Sequence, residues 1–177
     1  MKVVLIFLVC SLFSTGCSSS VSRIPLASSD QSHKFTRLEQ PAGKLIVKYS
    51  EEGKKTASDN LTFNIDKLTS TIKRALEAGN MLIVSNESSQ PTIDVVITNV
   101  YARSTVNAFL WGFMAGADSI EGDVTVHSSS GQQLHKFKVS TSYALGGFAG
   151  FEESRMGWLY ENFSKDILKE LKGGEES

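Results

Sequence analysis

Apolar and polar positions alternate differently in successive parts of the chain. Residues 3–13 form an unbroken apolar run, residues 18–43 show no period, and regular patterning begins at Lys44. Residues 44–50 read Lys-Leu-Ile-Val-Lys-Tyr-Ser, a β-branched and aromatic run that predicts a first strand. Residues 51–59 are polar and predict a loop. From Thr62 the period changes to three and four: Ile65, Leu68, Ile72 and Leu76 form one stripe, with Lys67, Lys73, Arg74 and Glu77 off it. This spacing predicts an amphipathic helix stopped by Gly79 and Asn80. Residues 81–84 predict a short buried strand and 86–91 a turn, and 92–101 a strand presenting Ile93, Val95 and Ile97 on one face. Residues 120–126 alternate again, with Ile120, Gly122, Val124 and Val126 inward and Glu121, Asp123, Thr125 and His127 outward. Residues 128–131 form a Ser-Ser-Ser-Gly turn, and 133–143 return as the partner strand. Met156, Leu159, Tyr160, Phe163, Ile167 and Leu171 then mark a second amphipathic helix, ended by Gly173 and Gly174. The order βα, ββ, ββ, α predicts an α/β (α+β) fold, a two-layer sandwich of a mixed, about five-stranded sheet with two amphipathic helices on one face.

The unbroken apolar run has a different meaning. Lys2 is a short positive region, the run is too short to span a bilayer core of about 30 Å, and the small residues Ser14, Thr15 and Gly16 lead into Cys17. That three-part form is a secretory signal. The Gly16–Cys17 junction resembles a bacterial lipobox, with Ser14 standing where Leu is usual and Leu12 further back. The resemblance implies that residues 1–16 are a lipoprotein signal peptide and that Cys17 is the lipidation site. Each acyl CH₂ buried in lipid contributes about 0.8 kcal/mol, so two or three chains on one cysteine anchor a protein durably. Residues 17–43, rich in Ser and holding Pro25 and Pro41, then read as the lipidated cysteine and a flexible tether. A coil of about 25 residues reaches roughly 25–30 Å. Residues 44–177 read as a single α/β domain. Ser18 rather than Asp follows the cysteine. By Gram-negative sorting logic the expected location is the outer membrane, with the domain in the periplasm.

Composition narrows the chemistry. Eighteen basic side chains oppose nineteen acidic ones, for a net charge of −1. Bulk nucleic-acid binding needs a strongly basic face, so nucleic acid is not an expected partner. The two cysteines, Cys10 and Cys17, lie within the first seventeen residues, which leaves no disulfide framework and no thiolate zinc site in the domain. Gly53-Lys54-Lys55-Thr56 lacks the earlier glycine of a phosphate-binding loop, and no Gly-x-Ser-x-Gly elbow or His-Glu-x-x-His pair is present. His127 and His135 flank the hairpin as exposed residues and make a weak metal pair at best. Asp118, Glu121 and Asp123 form a carboxylate cluster on a solvated strand. We therefore expect no enzyme, no metal and no cofactor.

Two loop positions are unusual. Residues 108–117 and 144–151 are apolar, aromatic and glycine-rich, whereas loops are normally polar. Trp111, Phe113, Phe148 and Phe151 are the candidate partner surface, for an envelope protein or for self-association; the competing expectation is that the two segments pack on each other. The run from Arg103 through Phe109 and Gly112-Phe113-Met114-Ala115-Gly116-Ala117-Asp118-Ser119, followed by the hairpin, resembles a bacterial envelope lipoprotein family known only as a domain of unknown function. Met114 replaces a family glycine and Ser128 a turn aspartate. The resemblance spans residues 40–172 and implies an α/β domain on a lipoprotein. The order of elements is distantly similar to TolB amino-terminal domains and to lipoprotein activators of cell-wall synthases. The expected function is a lipid-anchored binding or scaffolding module, the membrane its partner through Cys17. The alternative is an oligomeric component of an envelope secretion or transport assembly.

Overall fold

The computed structural model describes residues 18–25, 37–60, 62–83, 89–103, 117–144 and 152–174. In chain order its elements are β1 (Ser18–Arg23), β2 (Lys44–Tyr49), α1 (Glu51–Ser58), α2 (Ile65–Ala78), β3 (Thr92–Tyr101), β4 (Asp118–His127), β5 (Gln133–Tyr143) and α3 (Glu152–Leu171). The five strands make one mixed sheet in the order β1-β5-β4-β3-β2. β2 runs parallel to β3, and the other pairings are antiparallel. The α/β sandwich and the five-stranded mixed sheet agree with the sequence pattern.

Period-2 patterning is carried out in full on β4, where Ile120, Gly122, Val124 and Val126 face the core. Phe137 and Val139 of β5 and Ile93, Val95 and Ile97 of β3 share that face. Leu68, Ile72 and Leu76 of α2 and Leu159, Phe163, Ile167 and Leu171 of α3 close over it, all fully buried. Gly122 has a packing reason: a Cβ there would sit 3.0 Å from the Phe163 ring, so its absence lets α3 approach the sheet. The opposite face is half-exposed and polar, carrying Asp94, Thr98, Glu121, Asp123, Thr125, Lys138 and Ser140. α2 starts on an Asn64 cap that accepts from Lys67 N and stops where Asn80 turns to φ 58°, a left-handed position that asparagine tolerates.

Three sequence expectations give way. The polar loop at 51–59 is a helix, α1: Ser50 caps it by accepting from Gly53 N at 2.9 Å, and Glu51 and Glu52 favour its first turn. The buried strand at 81–84 reduces to one bridge, Leu82 to Ala42, with Ile83 55% exposed; Val84 lies outside the described residues. The tether reading fails over Ser18–Arg23, which pairs residue for residue with β5 from Ser18–Ser142 to Arg23–Phe137. It fails again at Leu38 and Ala42, both buried. Serine-rich composition is compatible with this edge strand, which is exposed along its whole length, because the ladder is made by backbone groups.

α1 also shows how the sheet ends. β2 pairs with β3 only as far as Ile97, after which the β3–β4 register shifts between Ile97 and Asn99. From there α1 supplies side chains where a strand would supply backbone. Thr56 Oγ1 accepts from Val100 N at 3.1 Å, Asn60 Nδ2 donates to Val100 O at 3.2 Å, and Asn60 Oδ1 accepts from Ala102 N at 2.7 Å.

Candidate functional site

The end of the sheet beyond Tyr101 and Tyr143 holds the largest concentration of buried charge among the described residues. Arg103 follows β3, Asp118 opens β4, and Arg155 sits in the first turns of α3; they are 3%, 1% and 4% exposed. Asp118 Oδ1 accepts from Arg103 N at 2.7 Å and from Arg103 Nε at 3.3 Å, and Oδ2 accepts from Arg103 Nη2 at 3.2 Å. Arg155 Nε lies 2.9 Å from Asp118 Oδ2 as an ion pair without hydrogen-bond alignment. Two further bonds reach backbone: Arg103 Nη2 donates to Tyr143 O at 3.1 Å, and Arg155 Nη2 to Arg103 O at 2.8 Å.

These contacts have a topological meaning. Arg103 and Asp118 are the described residues on either side of 104–117, apart from Ala117 itself. Tyr143 and Arg155 stand on either side of 145–151. One buried carboxylate and two guanidiniums therefore tie together the four points where the two apolar segments leave and rejoin the domain. The surrounding contacts are apolar and aromatic: Tyr143 packs on Trp158 with ring centroids 5.2 Å apart.

A second charge cluster fixes the opposite end of β1. Glu170 Oε1 accepts from Arg23 Nε at 2.6 Å and lies 2.7 Å from His135 Nε2, so β1, β5 and α3 meet at one carboxylate. Burial holds His135 below its ordinary pKa, against the pull of Glu170 in the other direction. Asp166, one turn before Glu170, faces Ser19 and Thr141 at 3.4 and 3.5 Å, and burial raises its pKa. Between α2 and the start of α3 a groove of about 960 Å³ is rimmed by Lys67, Thr71, Arg74, Glu153 and Tyr160. The Lys67–Glu153 pair at 3.0 Å crosses it, and Tyr160 Oη accepts from Asn64 N at its inner wall.

The residues singled out from sequence separate as follows. Cys17, Trp111, Phe113, Phe148 and Phe151 lie outside the described residues. The carboxylate cluster comes apart: Asp118 faces the core, while Glu121 pairs with Lys138 on the other face and Asp123 lies opposite Lys138. The histidines do not meet either. His127 lies on the outer face 3.8 Å from Asp94, whereas His135 is buried on the core face, contrary to its expected exposure. His135 pairs with Val126, one position before His127, and successive positions of a strand face opposite sides of the sheet. Among the described residues no group of three or more His, Cys, Asp or Glu side chains is placed to hold a metal ion. Sequence reasoning missed the Arg103–Asp118–Arg155 cluster. Its signal was an opposite-charge pair bracketing an uncharged run, residues 104–117.

Among solved structures, the fold is similar to a PelC dodecamer from Paraburkholderia phytofirmans, at TM-score 0.50 and 9% identity over 88% of this chain and 99% of that one. A second PelC dodecamer structure from the same organism gives TM-score 0.46 at 9% identity, over 90% of this chain and 100% of that one. A Xanthomonas campestris protein of the DUF330 family model gives 0.44 at 10% identity, over 76% and 85%. At these identities the likeness is one of fold. No curated protein matches the sequence. A family model matches residues 26–147, beginning inside the stretch read as tether and stopping short of α3. That match covers well over half of the chain, which belongs to the family described as a domain of unknown function, DUF4410.

Proposed function

We propose that the protein is a cell-envelope lipoprotein, anchored by acyl chains on Cys17 to the periplasmic side of the outer membrane, whose α/β domain acts as a non-enzymatic binding or scaffolding module. One observation carries the reading: Lys2, the apolar run 3–13 and the small residues Ser14, Thr15 and Gly16 lead into Cys17, the only cysteine that would remain after a cut before it. A cut before Cys17 leaves every described strand of the sheet intact. The absence of thiols from residues 18–177 suits an oxidising compartment. With β1 part of the sheet, the expected spacer of about 25 residues is lost, and the domain rests within a residue or two of the lipid.

Cys17→Ala tests this. In cells the wild-type chain is expected to take up radiolabelled palmitate and to sediment with membranes after a carbonate wash. The variant is expected to take up no label and to appear in the soluble periplasm. Equal sedimentation of both, with no palmitate in either, would overturn the anchor.

A second reading, an oligomeric component of an envelope assembly, has one observation in its favour: the PelC structures of similar fold are dodecamers. On this reading the apolar segments, with Trp111, Phe113, Phe148 and Phe151, are contact surfaces between copies.

A further inference from the structure

α2 and α3 run side by side in the same direction: Lys67 meets Glu153 near their starts, and a Cβ on Gly79 would meet the Leu168 side chain near their ends. The groove of about 960 Å³ between them is lined wholly by described residues. Its α2 wall carries the cations Lys67 and Arg74, and its α3 wall the carboxylates Glu153 and Glu161. The first opposed pair closes across the groove at 3.0 Å. The second, seven and eight residues further along the two helices, stays open. Both Arg74 and Glu161 are exposed, and among the described residues neither has an ion-pair partner.

The floor between these charges has its own open positions. Gly157 lies on it, and a Cβ there would meet nothing within 4 Å. Glycine weakens a helix interior relative to alanine, and no packing contact requires it at this position. Its effect is to leave the α3 backbone accessible from the groove. Nearby, Tyr160 is buried, accepts from Asn64 N at 2.8 Å, and gives its own hydroxyl hydrogen to no acceptor among the described residues. On the α2 wall Ser70 donates to Asp66 O at 2.8 Å and Thr71 to Lys67 O at 2.9 Å, which leaves both hydroxyl oxygens as acceptors.

We infer that this groove binds a short peptide with free termini, its carboxylate on Arg74, its ammonium on Glu161, and an amide between them whose C=O accepts from Tyr160 and whose N–H donates to Ser70 or Thr71. The inference rests on the binding-module reading above and gives that module a ligand class. Opposite charges on facing walls suit a zwitterion, and a free donor facing free acceptors suits an amide, which needs both. Gly157 lets the bound chain lie close to the helix backbone. Other ligand classes meet obstacles in the same residues. With Asp66, the groove sets three carboxylates against two cations, which disfavours phosphate esters and polyanions. The Tyr160 ring is buried in edge-to-face contact with Phe63, so it offers no platform on which a sugar or a base could stack.

The test titrates the full chain, purified from cells in mild detergent, with trialanine, N-acetyl-trialanine and trialanine amide. Binding is read by saturation-transfer NMR against empty micelles. Trialanine is expected to saturate, and blocking either terminus to weaken binding by about threefold, the scale of one exposed ion pair. Glu161→Gln is expected to lose the same factor for trialanine and to become indifferent to acetylation. Arg74→Gln is expected to become indifferent to amidation. That crosswise pattern assigns each terminus to its wall. Gly157→Ala adds a methyl group where the fold has room, so its thermal midpoint is expected not to fall, while trialanine binding weakens by about tenfold or more. No saturable binding, or binding without the crosswise pattern or without the Gly157→Ala loss, overturns the peptide site. A change of particle mass on these substitutions, with no effect on the peptide, means that a second copy fills the groove and overturns it too. Each of these failures leaves the anchored reading standing, because that reading falls on the palmitate and sedimentation result at Cys17.

Discussion

Asp118 is the residue on which most depends. It is the one carboxylate between two buried guanidiniums, and it also accepts from the Arg103 backbone. Removing one member of a buried ion network leaves uncompensated charge and costs about 3–5 kcal/mol. Asp118→Asn keeps the shape and removes the charge, so its unfolding free energy, read by urea titration, is expected to fall by an amount in that range. The exposed pair Lys67–Glu153 gives the contrast: Glu153→Gln is expected to change stability by less than about 1 kcal/mol. His135 makes a prediction about pH. Its pKa is lowered in the folded protein by burial, with Glu170 and Arg23 pulling in opposite directions, so the unfolded chain binds a proton first on acidification. Stability therefore falls as pH drops through 6.5, at most by about 1.4 kcal/mol per pH unit for one proton. Asp166 acts in the other sense, because its raised pKa lets the folded state take up a proton first at lower pH. Urea titrations of wild type and His135→Gln between pH 7.5 and 5.5 separate the two: the difference in slope belongs to His135.

At the scale of elements, β1 makes the clearest prediction. Deleting residues 18–23 from a tether would be neutral. Deleting them from this sheet uncovers the β5 edge and discards the Arg23–Glu170 pair, leaving a row of unpaired backbone groups that favours association between copies. The expected outcome is a lower thermal midpoint and concentration-dependent aggregation, read by light scattering; an unchanged monomer would restore the tether. The error about β1 and the success with β3, β4 and β5 share a cause. Core strands announce themselves by alternation, as in Ile120-Glu-Gly-Asp-Val124, because one face must be apolar. An edge strand of Ser-Ser-Ser-Val-Ser-Arg is held by its backbone ladder and one terminal ion pair, and neither leaves a hydrophobic period. α1 escaped notice for the same reason, since its stabilising contacts are a cap and the polar atoms of Thr56 and Asn60. Ser50 followed by two glutamates was the readable signal. The ion cluster at the sheet end was less legible, because Arg155 lies more than thirty residues beyond Asp118 and only the fold brings it back.

On the scale of the molecule, the two functional readings make different demands. A scaffolding module is complete as one copy, whereas an assembly component is not. Multi-angle light scattering of the lipidated chain in mild detergent distinguishes them, the first predicting the monomer mass and the second a closed multiple of it. Under the second, Trp111→Ser together with Phe148→Ser is expected to return the particle to monomer without lowering its thermal midpoint. The way β1 joins the sheet has a mechanical consequence under either reading. β1 is antiparallel to β5, and its Ser18 end lies beside Ser142, at the end of the sheet opposite the 128–131 hairpin. A pull on Ser18 along the strand axis, resisted from the hairpin end, acts across the ladder hydrogen bonds and not along them. The six registered pairs from Ser18 to Arg23 then share the load in shear, with the Arg23–Glu170 contact as the last to take strain. A domain attached in this way yields as a unit under tension, without unzipping one residue at a time.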